Sequence, residues 1–154
     1  MLQISSFKEL DEVMSSLHDC PFDLDRASLD YETGTWRGIF LRPLWEDTRA
    51  EHRGLSLLYL CSRLPVVEAT LTLSGVRGQT LIDDPGLGRY TFNEVELDSN
   101  GLQLRFNEAL CIHLDVAGSI TGTYEEQPLP GFRAIYRQVL LVQSGPKIEP
   151  VLDL

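Results

Sequence analysis

Three polar residues in one short segment have the side chains best suited to chemistry. Cys111, His113 and Asp115 alternate with aliphatic residues, which indicates a strand with one polar face. Thiol, imidazole and carboxylate groups bind metals, and a cysteine beside a histidine can form a nucleophile pair. Residues two apart on a strand are about 6.6 Å apart at Cα, so one metal can take Cys111 with His113, or His113 with Asp115, but hardly all three. The alternative is a half-exposed strand face whose polar groups meet water or a neighbouring strand. We favour that alternative and predict no catalytic residue, no metal and no cofactor.

Two carboxylates near the N-terminus form a second candidate group. Asp23 and Asp25 lie on one face if residues 22–26 are extended. Paired carboxylates can act in acid–base catalysis or bind a hard cation. A solvated strand edge explains the same pattern, because charged edges also prevent strand-to-strand aggregation.

A tryptophan in a charged segment is the third candidate. Trp45 lies between Arg42 and Arg49, and an exposed tryptophan beside arginines is typical of an interface anchor. The alternative is that Trp45 folds back as a lid on the end of the sheet. We predict Asp23, Asp25, Arg42, Trp45 and Arg49 as interaction residues.

Sequence motifs of the common catalytic and phosphate-binding sites are missing. The glycine-rich stretch at 75–89 contains neither a dinucleotide fingerprint nor a P-loop, and the chain has no GxSxG or HExxH. This lowers the weight of an enzymatic function without excluding a site assembled from distant residues.

The elements that must position these residues begin with one helix. Ser6 and Glu9 have the spacing of a capping box, and apolar residues follow at helical spacing as far as Leu17. Pro21 places the end of the helix near His18. The sequence therefore predicts one amphipathic helix of about three turns.

Beyond the helix, the apolar period changes to two. Turn signals at Thr33-Gly34 and Asn100-Gly101 indicate β-hairpins, and a break in the alternation near Asn93 indicates a bulge. The predicted fold is α+β, with the N-terminal helix followed by a mostly antiparallel, curved sheet of about seven to eight strands or an open barrel. We expect a single domain over residues 1–146 and a frayed tail over 147–154.

The charge of the chain narrows the class of partner. The 154 residues include 13 basic and 23 acidic ones, a formal net charge of −10. This disfavours nucleic acids and anionic membrane surfaces, both of which bind through Lys and Arg. A basic protein partner is more compatible.

Three scattered cysteines and an N-terminus without a signal-peptide pattern predict reduced thiols and a cytoplasmic protein.

The N-terminal quarter resembles known families. In residues 6–40, an amphipathic helix ending in Leu17-His18-Asp19 is followed at once by a β-hairpin. This arrangement resembles small bacterial families of uncharacterised proteins, some of which are similar to immunity proteins of toxin systems. The resemblance implies a cytoplasmic bacterial protein that works by binding.

Three hypotheses for the function follow. The first is a non-enzymatic protein-binding module, immunity- or inhibitor-like, whose acidic surfaces meet a basic protein. The second is a small-molecule or metal binder, or an enzyme, that uses the mouth of the barrel with Cys111 and His113 as its polar groups. The third is a self-associating structural subunit in which an exposed edge strand forms a homodimer.

Overall fold

The computed structural model consists of one short helix and a mostly antiparallel sheet. It describes residues 1–47, 51–56, 59–83, 90–107, 110–139, 142–143 and 147–151, with the backbone alone at 51–56, 59–61, 138–139 and 142–143. In chain order the elements are β1 (Leu2–Ile4), α1 (Phe7–Ser15), β2 (Pro21–Phe22), a 3₁₀ turn (Leu24–Arg26), β3 (Ser28–Asp30), β4 (Thr35–Pro43), β5 (Glu51–Ser56), β6 (Tyr59–Asp83), β7 (Tyr90–Asp98), β8 (Gly101–Phe106), β9 (Leu110–Val139), β10 (Val142–Gln143) and β11 (Lys147–Pro150). The predicted α+β class with an antiparallel sheet is confirmed. Seven to eight strands was too low a number, because short strands without a sequence signature also pair.

Two compact units share these elements. Unit 1 consists of Met1–Phe40 and Ala69–Glu126, and unit 2 consists of Leu41–Glu68 and Gln127–Leu154. The strand order is β1-β9-β8-β7-β2-β4-β6-β5, with further pairing of β9 with β6, of β3 with β4, and of β10 and β11 with β9. Lys147–Pro150 lies in the segment that we expected to be a frayed tail, yet it pairs with β9, with Ile148 opposite Ala134.

The helix begins as the sequence predicts and ends earlier. The Ser6 hydroxyl accepts a hydrogen bond from the Glu9 backbone N–H at 3.2 Å, and the Glu9 carboxylate accepts one from the Ser5 backbone N–H at 2.7 Å. Leu10, Val13 and Met14 are buried, so α1 covers the core of unit 1. Beyond Ser15, the backbone N–H groups of Ser16 and Leu17 donate to carbonyls three residues back, so the chain continues in tighter 3₁₀-type turns and the α-helix ends.

Each unit has its own apolar core. The core of unit 1 joins α1 to strands β4, β6, β7, β8 and β9, and Trp36, Phe40 and Phe92 are its largest buried side chains. The smaller core of unit 2 contains Leu64, Val66, Ala134 and Tyr136. Large aromatic residues therefore stabilise the unit that carries the polar strand faces described next.

Candidate functional site

The outer face of three neighbouring strands collects the polar residues singled out in the sequence. In the register of β7, β8 and β9, Arg105 lies between Glu94 and Cys111, and Gln103 lies between Glu96 and His113. Most of the intervening side chains are buried, and Leu104, Ile112 and Leu114 are fully so. We call the outward side chains of these strands the polar face; its members are Glu94, Glu96, Asp98, Gln103, Arg105, Cys111, His113 and Asp115. The predicted common face of Cys111, His113 and Asp115 is confirmed by this alternation.

Arginines balance most of the carboxylates on the polar face. Arg105 lies 2.7 Å from Glu96 and 3.6 Å from Glu94, and Arg77 of β6 lies 2.8 Å from Asp115. All of these side chains are about half exposed, so each pair contributes little to stability. Asp115 is therefore engaged with an arginine.

His113 is the one member of the polar face with an unexplained polar atom. Its Nε2 atom is shielded from solvent and has no hydrogen-bond partner in the part of the chain that the structure describes. Cys111 is a half-buried free thiol. Among the described residues, no group of three or more His, Cys, Asp and Glu side chains is placed to hold a metal ion. Cys111 and His113 are thus neighbours on one face of β9, and the described residues supply no third side chain with which they could bind a metal ion.

Asp23 and Asp25 do not form the pair that an extended backbone would create. Leu24–Arg26 is a 3₁₀ turn, and Asp23 caps it by accepting a hydrogen bond from the Arg26 backbone N–H at 3.3 Å. Residues 22–26 are therefore not extended throughout, and Asp23 caps the turn instead of sharing a strand face with Asp25. Asp25 is exposed.

Asp25 belongs instead to a group of acidic side chains around a tyrosine. The Tyr90 hydroxyl donates a hydrogen bond to Asp83 at 2.7 Å. This bond raises the pKa of Tyr90, and the negative charges of Asp83 and Asp25 add to the effect. Asp25 and Asp83 thus place two negative charges beside one phenol.

Trp45 is neither fully exposed nor folded away. Its ring centroid lies 4.0 Å from that of Tyr136, yet 57% of the residue stays accessible to solvent. The Arg42 side chain is only 14% exposed and pairs with Glu46 at 3.0 Å. Arg49 lies outside the described residues. Trp45 therefore presents part of its ring to solvent while the rest packs on unit 2.

A small cleft between α1 and β7 was not expected from the sequence. It has a volume of about 240 Å³; Met14, Phe92 and Val95 form its apolar part, and Asp11 and Glu94 are the carboxylates that line it. His18, also at the cleft, lies 3.2 Å from the Asp19 carboxylate. We call this feature the acidic cleft. The available signals were the polar side of the helix at Asp11 and the bulge in β7, but only the packing of α1 on β7 brings them together.

The acidic residues of the chain are concentrated in one unit. Unit 1 contains 17 acidic and 6 basic residues, a net charge of −11, whereas unit 2 contains 6 acidic and 7 basic residues, a net charge of +1. The whole formal charge of the protein is thus a property of the unit that carries the acidic cleft and the polar face.

Three carboxylates of unit 1 stabilise turns and the helix start, and they make the stability depend on pH. Hydrogen bonds from the Ser5 backbone, the Thr33 hydroxyl and the Asn100 backbone, respectively, are the main causes that lower the pKa values of Glu9, Asp30 and Asp98.

We expect the free energy of unfolding to fall as the pH is lowered from 5 towards 3. A carboxylate whose pKa is lower in the folded state stabilises the fold above its unfolded pKa, and this contribution is lost as the pH falls through the folded pKa. Urea titrations at a series of pH values measure the effect. Asp98→Asn should flatten this dependence, and an unchanged pH profile in that variant would contradict the assignment to Asp98.

In the part of the chain that the structure describes, no helix is both long enough and apolar enough to cross a membrane. Comparison with protein-family models, with curated proteins and with solved structures gives no significant match. The assignment of a function therefore depends on the residues themselves.

Proposed function

We propose that this chain is a non-enzymatic protein-binding module whose unit 1 docks onto a basic protein surface. The observation that carries the proposal is the separation of charge, with −11 on unit 1 and +1 on unit 2. An excess of like charge in one compact unit disfavours folding through self-repulsion and favours association with an oppositely charged partner. The resemblance of residues 6–40 to immunity-like families agrees with this proposal.

Two groups of carboxylates in unit 1 differ in what they do. Glu9, Asp23, Asp30 and Asp98 accept local hydrogen bonds that stabilise a helix start or a turn. A second group is exposed and has no hydrogen bond or ion pair within the described ranges; its members are Asp11, Asp25, Glu32 and Glu125. The first group of carboxylates stabilises local structure. The second group adds charge repulsion within unit 1 and is available to bind a partner.

The acidic cleft offers a specific place for a basic side chain. The methylene groups of a lysine or arginine would lie along Val95, the least buried apolar side chain of the cleft, and the charged end would reach Asp11 and Glu94. Arg105 is 3.6 Å from Glu94 and only 2.7 Å from Glu96, so Glu94 is the less engaged of the two. A partner's arginine suits this arrangement because its planar group can bond two carboxylates.

We expect Asp11→Lys to weaken binding of the partner both by slower association and by faster dissociation. The partner is first isolated by affinity capture at low salt, and its binding kinetics are then measured by surface plasmon resonance at several salt concentrations. Loss of a charge at the rim slows association, whereas loss of a direct contact speeds dissociation. Association should slow by roughly five- to tenfold at low salt, and less at high salt.

Glu125→Lys is the matched control, because it makes the same change of charge in unit 1 away from the acidic cleft. It should slow association without changing dissociation, as should Asp25→Lys. Binding that is independent of salt and unaffected by Asp11→Lys would refute the proposal.

The alternative of a ligand at the mouth of a barrel has weaker support. It requires a curved sheet or an open barrel, and this architecture stays a prediction. It also requires Cys111 and His113 to be the polar groups that bind the ligand. Among the described residues these two gain no third ligand, and the neighbouring Asp115 is paired with Arg77. Self-association through an edge strand likewise stays a prediction, and light scattering at high protein concentration tests it.

A further inference from the structure

Unit 2 contains a larger cleft whose chemistry is opposite to that of the acidic cleft. Its volume is about 450 Å³, and its lining consists of three prolines (Pro65, Pro128 and Pro130), five aliphatic side chains, and the arginines Arg63 and Arg133. This volume lies within the range of about 300–1,000 Å³ that is typical of small-molecule sites. No acidic residue is part of this lining, although acidic residues outnumber basic ones in the chain. We call this feature the arginine cleft.

The walls of the arginine cleft are held in place before any ligand arrives. The backbone N–H of Leu44 donates to the carbonyl of Pro65 at 2.9 Å, and that of Val151 donates to the carbonyl of Gly131 at 2.8 Å. Proline rings fix their own backbone torsion angle. A ligand would therefore bind a largely preformed surface, which reduces the entropic cost of binding.

The two arginines leave positive charge available at the cleft. Arg133 uses its Nη1 atom to donate to the carbonyls of Pro130 and Phe132, at 3.2 and 2.8 Å, so the guanidinium group is positioned without being neutralised. Arg63 is exposed and, among the described side chains, has no carboxylate at ion-pair distance.

The Glu149 carboxylate is close enough to Arg63 for their charges to interact. Its own partner is Lys147 at 2.8 Å, and Arg137 also faces it. Glu149 therefore has other cations beside it and does not cancel the charge of Arg63.

We propose that the arginine cleft binds a small organic carboxylate with an apolar body. The aliphatic and proline walls would accept the apolar body, and Arg133 and Arg63 would bind the carboxylate through charge-assisted hydrogen bonds. The small net charge of unit 2, +1, presents no excess of negative charge to repel such an anion, in contrast to unit 1. This site and its ligand class are independent of the proposed protein-binding function of unit 1.

Octanoate is the probe for this proposal, with two matched compounds as controls. Butyrate has the same head group and four fewer methylene groups, and octylammonium has an unbranched chain of similar length with the opposite charge. Isothermal titration calorimetry should show one octanoate bound per chain, with butyrate at least tenfold weaker because less apolar surface is buried. Octylammonium should bind the unsubstituted protein no more tightly than it binds the Arg63→Gln variant.

Three arginine variants locate the site. Arg63→Gln and Arg133→Gln should each weaken octanoate binding by about tenfold. Arg37→Gln, an exposed arginine on β4 in unit 1, is the control and should leave binding unchanged. Because Arg133 also bonds backbone carbonyls, Arg63→Gln keeps the test valid if the Arg133 variant is poorly folded. Methyl NMR signals of Leu129 and Val151 should shift with octanoate, while those of Leu104 in the core of unit 1 should not.

The outcomes are distinct from those of the protein-binding test. Octanoate binding that requires Arg63 and shifts the methyl signals of unit 2 supports the proposal. Absence of binding at millimolar octanoate, equal affinity in the Arg63→Gln protein, or signal changes confined to unit 1 would overturn it. None of these results depends on whether Asp11→Lys alters the association with a basic protein.

Discussion

Replacing Gly101 with alanine should lower the free energy of unfolding by about 3–5 kcal/mol. Gly101 begins β8 with a φ of +137°, a backbone conformation that side chains other than glycine rarely adopt. A Cβ atom at this position would lie 2.2 Å from the carbonyl oxygen of Leu114. That oxygen is part of the backbone of β9, so the strain can be relieved only by shifting β9, which is one of the strands of the polar face.

Urea denaturation of a glycine-to-alanine series separates the two causes. Gly118 also has a positive φ, but at +78° it is close to the left-handed helical region, and nothing lies within 4 Å of its added Cβ, so Gly118→Ala measures the cost of that milder backbone conformation alone, about 1–2 kcal/mol. Gly131 has neither feature, so Gly131→Ala should be close to neutral. Equal losses of stability for Gly101→Ala and Gly118→Ala would show that the contact with Leu114 is not a steric limit.

Replacing Gly38 with alanine should lower the free energy of unfolding by about 1–3 kcal/mol, because it overpacks the core. The new Cβ would lie 2.3 Å from the outer edge of the Trp36 ring. That ring is fully buried, and its Nε1–H donates to the Gln79 side chain at 2.8 Å. The ring can therefore move away only by losing this hydrogen bond and displacing its neighbours.

A double-mutant cycle with Trp36→Leu tests whether the ring is the cause. Trp36→Leu alone should be strongly destabilising, since it removes a large buried side chain. In that background, Gly38→Ala should be neutral or slightly stabilising, because alanine restricts the unfolded chain more than glycine does. If the two effects on stability simply add, residues 36 and 38 are not coupled and the explanation is wrong.

Local signals in the sequence predicted the starts of elements better than their ends. The capping box at Ser6, the hairpin at Asn100-Gly101 and the bulge near Asn93 are all present. These features depend on residues within a few positions of each other, so the sequence is sufficient to specify them. The predicted helix end near His18 was wrong, because the residues after Ser15 form tighter turns with hydrogen bonds to carbonyls three residues back, which the position of Pro21 does not predict.

Long strands were the main failure of the sequence interpretation. Glycines at 75 and 78 and prolines at 128 and 130 are residue types typical of loops, yet β6 continues to Asp83 and β9 continues through both prolines. Pairing partners distant in sequence override these local signals. Proline is also tolerated in a strand wherever its missing N–H is not needed for pairing.

The candidate sites show the same division between local and distant information. Alternation placed Cys111, His113 and Asp115 on one face, but the arginine that pairs with Asp115 is 38 residues away in the chain. The acidic cleft requires α1 to pack on β7, and the arginine cleft requires strands from both ends of unit 2. Composition alone revealed the excess of acidic residues, but not its concentration in unit 1.

The two tryptophans of the chain lie in different units and in opposite surroundings. Trp36 of unit 1 is fully buried, whereas Trp45 of unit 2 is 57% exposed. An indole ring shielded from water emits at shorter wavelength than a hydrated one and is protected from soluble quenchers such as iodide. The intrinsic fluorescence of this protein therefore contains one reporter for each unit, and iodide quenching distinguishes whether unit 1 and unit 2 lose their structure together or one after the other.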